Sequence, residues 1–196
     1  MVVVGLTGGI GSGKSTILKC FKSYGIPVYI ADDEAKALMN RSKVIRRKLI
    51  HLFGDKAYEN NVLNRPYLAS KIFNDKTLLS KMNAIVHPKV AAHFKQWLSK
   101  QDAAYVIKEV AIIFENNLQN EYDYIITVVA DKDLRIKRVM QRDGVSQEKV
   151  EAIMKNQWSD ADKIEKSDFV IVNNTLQEAR EQAENIHNNL LKILNP

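Results

Sequence analysis

The amino-acid sequence predicts an α/β fold in which helices flank a parallel five-stranded sheet. Five segments are nearly continuous apolar runs, which are typical of strands covered on both faces in such a sheet. Helical patterns separate these segments, and this alternation predicts right-handed crossovers between parallel strands. The predicted strands are Val2–Leu6, Pro27–Ile30, Ala104–Ile113, Tyr124–Val129 and Phe169–Val172.

Four helices are predicted from apolar residues that recur at helical spacing next to these strands. One follows the first strand, two follow the fourth and one follows the fifth. The predicted helices are Lys14–Tyr24, Asp131–Arg142, Gln147–Trp158 and Thr175–Leu194.

The segment between the second and third predicted strands is too long for a simple crossover, and nearly all of it has a helical pattern. Ser42 and Gly54 bracket one helix of this segment. Pro66 and Pro88 stand where prolines of a first helical turn are expected, so His87 and Pro88 are predicted to open a helix. The pattern predicts a helical insertion, and a shorter helical excursion lies between the fourth and fifth strands.

Composition excludes several classes of protein. Of the 196 residues, 45% are hydrophobic and 27% are charged, which is ordinary for a globular protein. No apolar run is long enough to span a bilayer, and no basic leader precedes the first strand. The single cysteine, Cys20, has no partner for an internal disulfide. We therefore expect a cytoplasmic protein without a membrane partner, either a monomer or a weak homo-oligomer.

The formal net charge of +6 raises the question of a nucleic-acid partner. The basic residues are spread along the chain, and the densest cluster, residues 43–48 (KVIRRK), alternates with apolar residues as on an amphipathic helix. We expect no nucleic-acid partner, although a nucleic-acid-binding ATPase stays open as an alternative. A positive field would also attract polyphosphate ligands.

The most informative segment is residues 2–16, VVVGLTGGIGSGKST, which fits the phosphate-loop pattern G-x-x-x-x-G-K-[ST]. Glycines let successive backbone N–H groups turn toward phosphate oxygens, and the following helix directs its positive end at the same anion. Lys14 would contact the β- and γ-phosphates of ATP, and the Ser15 hydroxyl would bind Mg²⁺. The expected ATP-binding residues of this segment are Gly8, Gly9, Gly11, Ser12, Gly13, Lys14, Ser15 and Thr16.

A phosphate loop with one large helical insertion and one small basic excursion predicts a small-molecule kinase. The insertion would hold the acceptor, and the excursion would close as a lid. We expect a single kinase unit over residues 1–196. Its core would be 1–31, 103–130 and 166–196, its acceptor-binding insertion 32–102 and its lid 131–165.

Asp32 follows the second predicted strand at its carboxyl end, where sheets of this kind bind ligands. Its carboxylate could accept a proton from an acceptor hydroxyl during phosphoryl transfer. Alternatively, Asp32 or Asp33 only caps the helix that starts at Glu34. The position leaves both interpretations open.

Three arginines, Arg135, Arg138 and Arg142, share one face of a predicted helix because they are three, four and seven positions apart. Guanidinium groups there could bind the transferring phosphoryl group, or they could form a solvated face. Beside a phosphate loop we favour the first role for Arg138 and Arg142 and expect Arg135 at the surface. Glu109 and Glu115 bracket an apolar run, and one of them could lie near Mg²⁺.

With these residues in view, the chain from its N-terminus to about Asn174 resembles the dephospho-CoA kinase family. The motifs that carry the resemblance occur in the family's order. They are LTGGIGSGKST at 6–16, Asp32, IVHPKV at 85–90, KEVAIIFE at 108–115, the stretch 135–143 and FVIVNN at 169–174.

The resemblance implies a P-loop NTPase-type fold and transfer of the ATP γ-phosphate to the ribose 3′-hydroxyl of dephospho-CoA, the last step of coenzyme A synthesis. It implies Asp32, Lys14, Arg138 and Arg142 as catalytic residues and Asn173 near the adenine. It also implies that Asp32, Lys36, His87 and Glu115 bind the acceptor. Mg²⁺ would be the cofactor, with ATP and dephospho-CoA as the small-molecule partners.

The chain departs from the family pattern at three positions. Ile30 replaces an acid that is common two residues before Asp32, which removes a possible helper near the reacting hydroxyl. Lys36 stands where an arginine is usual and weakens the expectation of a bidentate contact, and Ala111 replaces a common proline.

Two other nucleotide-binding classes compete with this interpretation. A nucleoside or nucleoside-monophosphate kinase would share the fold, the loop and the lid, and only the motifs at 85–115 favour the CoA precursor. A regulatory GTPase is disfavoured because no aspartate precedes a glycine by three positions and the sequence lacks N-K-x-D.

Overall fold

Seven strands are present in the part of the chain that the computed structural model describes, residues 1–73 and 75–194. Five of them form the main sheet and two form a hairpin. They are β1 (Val2–Thr7), β2 (Val28–Ile30), β3 (Tyr58–Glu59), β4 (Val62–Leu63), β5 (Tyr105–Glu109), β6 (Tyr124–Val129) and β7 (Phe169–Val172).

Nine α-helices accompany the strands within the same residues. They are α1 (Lys14–Ser23), α2 (Ala31–Arg41), α3 (Lys43–Phe53), α4 (Arg65–Ile72), α5 (Lys76–Leu98), α6 (Lys132–Asp143), α7 (Gln147–Lys155), α8 (Asp160–Glu165) and α9 (Leu176–Leu194). None of the helices so described has the length and apolar character that crossing a membrane requires.

The main sheet has the strand order β2-β5-β1-β6-β7, with β1 parallel to both of its neighbours. Val4 of β1 is opposite Ile107 of β5 on one side and Tyr124 of β6 on the other. Residues 3–7 of β1 are all buried, which explains why this strand is an almost continuous apolar run. The predicted parallel five-stranded sheet is confirmed.

The third strand of the sequence prediction is too long. It was expected to reach Ile113, but β5 ends at Glu109 and residues 111–117 form turns. Ile113 and Phe114 are nevertheless buried, because they pack against Ile125 of β6 from this turn segment. An apolar run indicates that a segment is buried, but burial alone does not distinguish a strand from a turn that packs against the core.

Of the four helices predicted next to the strands, α1, α6 and α9 match their predicted bounds within one residue, whereas α7 does not, and α8 was not predicted separately. Helix α7 ends at Lys155, three residues before the predicted end at Trp158. Residues 156–159 instead form a non-helical connection to α8, and Asn156 is the C-cap of α7.

The chain divides into two compact units, the sheet unit (Met1–Tyr29 with Gln101–Pro196) and the helical unit (Ile30–Lys100). The helical unit has a core of its own. In α3, Ile45, Leu49 and Phe53 are buried on one face. Ser42 accepts a hydrogen bond from the backbone N–H of Ile45, and Gly54 ends the helix, as predicted from the sequence.

Two features of the helical unit differ from the prediction of helices alone. First, β3 and β4 form an antiparallel hairpin, in which Asn60 and Asn61 at the turn adopt positive φ angles of 48° and 67°. Asparagine tolerates this conformation better than most residues, so the Asn–Asn pair is a local turn signal.

Second, Pro88 lies inside α5 and does not open a helix, so the prediction for His87 and Pro88 was wrong. The helix begins at Lys76, where Asp75 caps it by accepting a hydrogen bond from Leu78 N–H. An internal proline costs about 3 kcal/mol or more. Val86 and Val90 pack against the core on either side of Pro88, and their burial offsets this cost.

Candidate active site

The phosphate loop connects the end of β1 to the start of α1, and Gly13 is the N-cap of that helix. Gly13 has a φ of 91°, a conformation that favours glycine. A Cβ at this position would overlap the Asn173 side-chain amide and would lie 3.9 Å from Arg138 Nη1. The loop backbone is therefore approached closely from two other segments of the sheet unit.

Lys14 is the first residue of α1, and its ammonium group donates a hydrogen bond to the Gly8 carbonyl, 2.8 Å away. The side chain thus folds back over the loop. Ser12 is fully buried, and its Oγ has no hydrogen-bond partner among the described residues. Ser15 and Thr16 lie in the first turn of α1, where unpaired N–H groups and the helix dipole favour an anion.

The residues at this position suit Mg²⁺ bound together with phosphate. Within residues 1–73 and 75–194, no group of three or more His, Cys, Asp or Glu side chains could hold a metal ion. Ser15 is exposed at the start of α1 and offers a hard oxygen ligand. Mg²⁺ commonly takes few protein ligands and completes its octahedron with phosphate oxygens and water, so the donor set fits.

Asn173 follows β7 and is 3% exposed. Its side-chain amide donates a hydrogen bond of 2.8 Å to the Ser12 carbonyl, and its backbone N–H donates to the Val129 carbonyl. The structure therefore places this predicted ATP-binding residue directly against the phosphate loop.

Arg135 was expected at the surface, and that expectation was wrong. It lies in α6 but is only 7% exposed. Its Nε donates to the Ile10 carbonyl at 2.9 Å, and its Nη1 donates to the Asp160 carboxylate at 2.6 Å. The arginines lie along α6 as predicted, but Arg135 contacts the phosphate loop, whereas Arg142 at the other end of the helix is exposed.

Arg138 lies one turn further along α6, at the edge of the phosphate loop beside Gly13. Its Nη1 is buried and has no hydrogen-bond partner among the described residues. A buried guanidinium N–H without a partner is costly, and an anion at this place would satisfy it.

Arg142 is in the last turn of α6, and 61% of its side chain is exposed. Its Nε and Nη2 both donate to the Asp143 carboxylate, at 2.7 and 2.8 Å. These hydrogen bonds raise the pKa of Arg142 and lower that of Asp143. The structure thus brings Arg138 to the loop and leaves Arg142 paired at the surface.

Glu115 is enclosed in the sheet unit. Its Oε1 accepts a hydrogen bond from the Trp158 backbone N–H at 3.0 Å and lies 2.7 Å from Nζ of the fully buried Lys163. The ammonium approaches outside hydrogen-bond geometry, so this pair is a contact between charges. The second oxygen, Oε2, is buried without a hydrogen-bond partner among the described residues. Glu109, the acid on the other side of the apolar run 110–114, is buried at the end of β5.

Three predicted acceptor residues belong to the helical unit. The helix α2 begins at Ala31 with Ile30 as its N-cap, so Asp32 is inside the first turn and does not cap the helix. Asp32 is exposed and makes no hydrogen bond or ion pair among the described residues. Lys36 contacts Asp33 at 3.1 Å, and His87 is exposed in the middle of α5.

Comparison with known proteins identifies the family. The family model described as CoaE, dephospho-CoA kinase, matches residues 2–178. The chain belongs to the dephospho-CoA kinase family. A curated dephospho-CoA kinase of Bacteroides fragilis is 39% identical over 173 residues, which cover 88% of this chain and 84% of that protein.

Solved structures agree with the membership in the dephospho-CoA kinase family. A dephospho-CoA kinase from Campylobacter jejuni has a TM-score of 0.71 and 26% identity, with 97% of each chain covered. The protein TT1252 from Thermus thermophilus has a TM-score of 0.89 and 31% identity over the same shares. The resemblance stated from the sequence motifs is therefore confirmed.

Sequence reasoning missed two residues that support the phosphate loop of this family member and the lysine that pairs with Glu115. Gln157 Oε1 accepts a hydrogen bond from Ile10 N–H, and Asp160 orients Arg135. Lys163 compensates the charge of Glu115. These residues lie at least 25 positions from their partners, and no spacing in the sequence marks them.

Proposed function

We propose that this protein transfers the γ-phosphate of ATP to the ribose 3′-hydroxyl of dephospho-CoA and releases ADP and coenzyme A. The observation that carries the phosphoryl-transfer chemistry is the buried, unpartnered Nη1 of Arg138 beside Gly13 of the phosphate loop. Family membership over residues 2–178 supports the choice of acceptor.

On the donor side, loop N–H groups and the start of α1 bind the phosphates of ATP. Lys14 exchanges its hydrogen bond with the Gly8 carbonyl for contacts to the β- and γ-phosphates. Arg138 and Arg142 stabilise the charge on the transferring phosphoryl group, and Arg142 releases Asp143 to do so. Asn173 keeps the Ser12 peptide in place beside the nucleotide.

On the acceptor side, Asp32 accepts the proton of the 3′-hydroxyl while the new O–P bond forms and the bond from γ-phosphorus to the ADP oxygen breaks. Three features support this role: its place after β2, its position inside the first turn of α2 and its exposed, unpaired carboxylate. A positioned general base contributes roughly 10²–10⁴ in rate.

The rest of the acceptor is held by the helical unit. Lys36 is one turn after Asp32 on α2 and borders a pocket of about 170 Å³, which Arg65 also lines. The two cations suit the diphosphate of dephospho-CoA, and Met39, Leu68 and other apolar residues of the pocket suit its pantetheine arm. His87 contributes a further contact from α5. Glu115 is enclosed in the sheet unit, and its role toward the acceptor stays a prediction.

Mg²⁺ completes the donor site. The Ser15 hydroxyl would hold the ion together with phosphate oxygens, and the bound ion would neutralise charge on the β- and γ-phosphates.

The test measures ADP release by the purified protein with Mg²⁺ and ATP in parallel reactions. The acceptors are dephospho-CoA, its analogue without the 3′-hydroxyl, AMP, CMP and single-stranded DNA. We expect dephospho-CoA to be the only one of these acceptors that supports ADP release. Mass spectrometry should identify the product as coenzyme A. Turnover with the 3′-deoxy analogue, faster turnover with a nucleoside monophosphate, or stimulation by DNA would contradict the proposal.

A further inference from the structure

Ile10, at the tip of the phosphate loop, is held through both of its main-chain polar groups. Its N–H donates to Gln157 Oε1 at 2.9 Å, and its carbonyl accepts from Arg135 Nε at 2.9 Å. The partners come from α6 and from the connection after α7, more than 120 positions away in the chain. The side chains of Gln157 and Arg135 thus hold the tip of the loop without a bound ligand.

The guanidinium of Arg135 is itself fixed. It is 7% exposed, and Nη1 donates to Asp160 Oδ2 at 2.6 Å while Nε faces Ile10. A Cβ on Gly9 would overlap this guanidinium, so the loop backbone packs directly on it. Charge-assisted hydrogen bonds of this length are strong and directional, and their geometry leaves the arginine one orientation.

The contact also sets the position of α6 along the loop. Arg138 is three residues after Arg135 in the same helix, so a shift of the Arg135 contact would move Arg138 Nη1 away from Gly13. Arg135 therefore both contacts the phosphate loop and lies one turn before Arg138 on the same helix.

We propose that Arg135, oriented by Asp160, and Gln157 are positioning residues that hold the phosphate loop in its nucleotide-binding conformation and place Arg138 beside it. If the loop already has its nucleotide-binding conformation, the free-energy cost of ordering it is smaller when phosphate binds. The inference rests on the nucleotide-binding half of the proposed function and is independent of the acceptor's identity.

The test compares Arg135→Met, Gln157→Met and Asp160→Asn with a matched control, Lys137→Met. Lys137 is an exposed cation of the same helix, and it makes no contact with the loop among the described interactions. The readouts are the Kd for ADP by calorimetry, kcat and KM for ATP, and the melting temperature.

We expect Arg135→Met to weaken ADP binding about tenfold or more, because it removes a charge-assisted hydrogen bond to the loop. The substitution should raise KM for ATP. It should also lower kcat, because Arg138 would no longer be held beside Gly13 of the phosphate loop. Gln157→Met touches only the loop, so it should weaken ADP binding and raise KM with little change in kcat. The Lys137→Met control should match the wild type in all readouts, and Arg135→Lys should recover part of the ADP affinity.

A melting temperature that falls while ADP affinity stays within twofold of wild type would overturn the proposal, because the contacts would then be structural only. If Arg135→Met gives no cooperative unfolding transition, Asp160→Asn and Gln157→Met decide, and unchanged ADP affinity in both overturns it. Wild-type protein that binds ADP but leaves dephospho-CoA unphosphorylated would refute the proposed function and leave this inference standing.

Discussion

Replacing Glu115 by glutamine should destabilise the sheet unit strongly, because it strands the ammonium of Lys163 in a fully buried site. Glutamine keeps the size of the side chain and an oxygen that can accept the hydrogen bond from Trp158 N–H. The substitution therefore isolates the loss of the negative charge.

The size of the effect follows from the burial of the pair. Breaking a buried ion pair by removing one partner costs about 3–5 kcal/mol, whereas exposed pairs contribute about 0–1 kcal/mol. Lys163 is fully buried and the Glu115 side chain is 12% exposed, so the first range applies. For a chain of this size, about 2–4 °C per kcal/mol gives a fall in melting temperature of roughly 6–20 °C.

The assay is urea and thermal unfolding followed by circular dichroism, with a double-mutant cycle. Adding Lys163→Met to Glu115→Gln removes the stranded charge and should restore most of the lost stability, since neutral replacement of a buried pair is often well tolerated. Lys132→Met is the matched control. Lys132 pairs with Glu151 at the surface at 3.5 Å and should cost at most about 1 kcal/mol.

Two results would refute this reasoning. One is a loss below about 1 kcal/mol for Glu115→Gln, the range of an exposed pair. The other is a double variant as unstable as Glu115→Gln alone, which would show no coupling between the two side chains.

Three further outcomes follow from the structure. Lys14→Ala should keep the melting temperature but abolish most turnover, and near-normal activity would contradict its phosphate role. Arg138→Ala and Arg142→Ala should lower kcat more than they weaken ADP binding, because their target charge develops in transfer; equal losses would indicate ground-state binding. Burial lowers the pKa of His187, which also contacts the Tyr105 hydroxyl. The unfolded chain then binds more protons below about pH 6.5, so the unfolding free energy should fall as pH drops through this value, and His187→Gln should flatten that slope.

Local signals predicted the parts of the site that are built from neighbouring residues. The phosphate loop could be predicted from residues 8–16 alone. Most of its glycines adopt the positive φ angles that the loop requires, and Lys14 and Ser15 directly follow the last of them in the first turn of α1. Asp32 could be placed after a strand, but the competing cap required a helix starting at Glu34, and the helix starts at Ala31. Helix limits vary by one or two residues, and here an earlier start of α2 excludes the cap, while the role of Asp32 as a base stays a prediction.

Contacts between distant segments could not be predicted in the same way. Helical spacing puts Arg135 and Arg138 on one face, but it does not say that Arg135 meets Ile10 and Asp160. The same holds for Pro88, whose place inside α5 depends on packing of its neighbours against the core of the helical unit. In each case the tertiary environment outweighs the local preference.

The most direct test of the proposed reaction is phosphate transfer to dephospho-CoA by the wild type and by Asp32→Asn, with the product followed by mass spectrometry. Asparagine cannot accept the hydroxyl proton, but it preserves the shape of the first turn of α2. We predict that the wild type forms coenzyme A and that the variant still binds ATP and dephospho-CoA but transfers phosphate roughly 10²–10⁴ times more slowly. A folded variant that works at close to the wild-type rate would show that Asp32 is not the base and would turn attention to Glu109, and absence of coenzyme A with the wild type would contradict the proposed reaction itself.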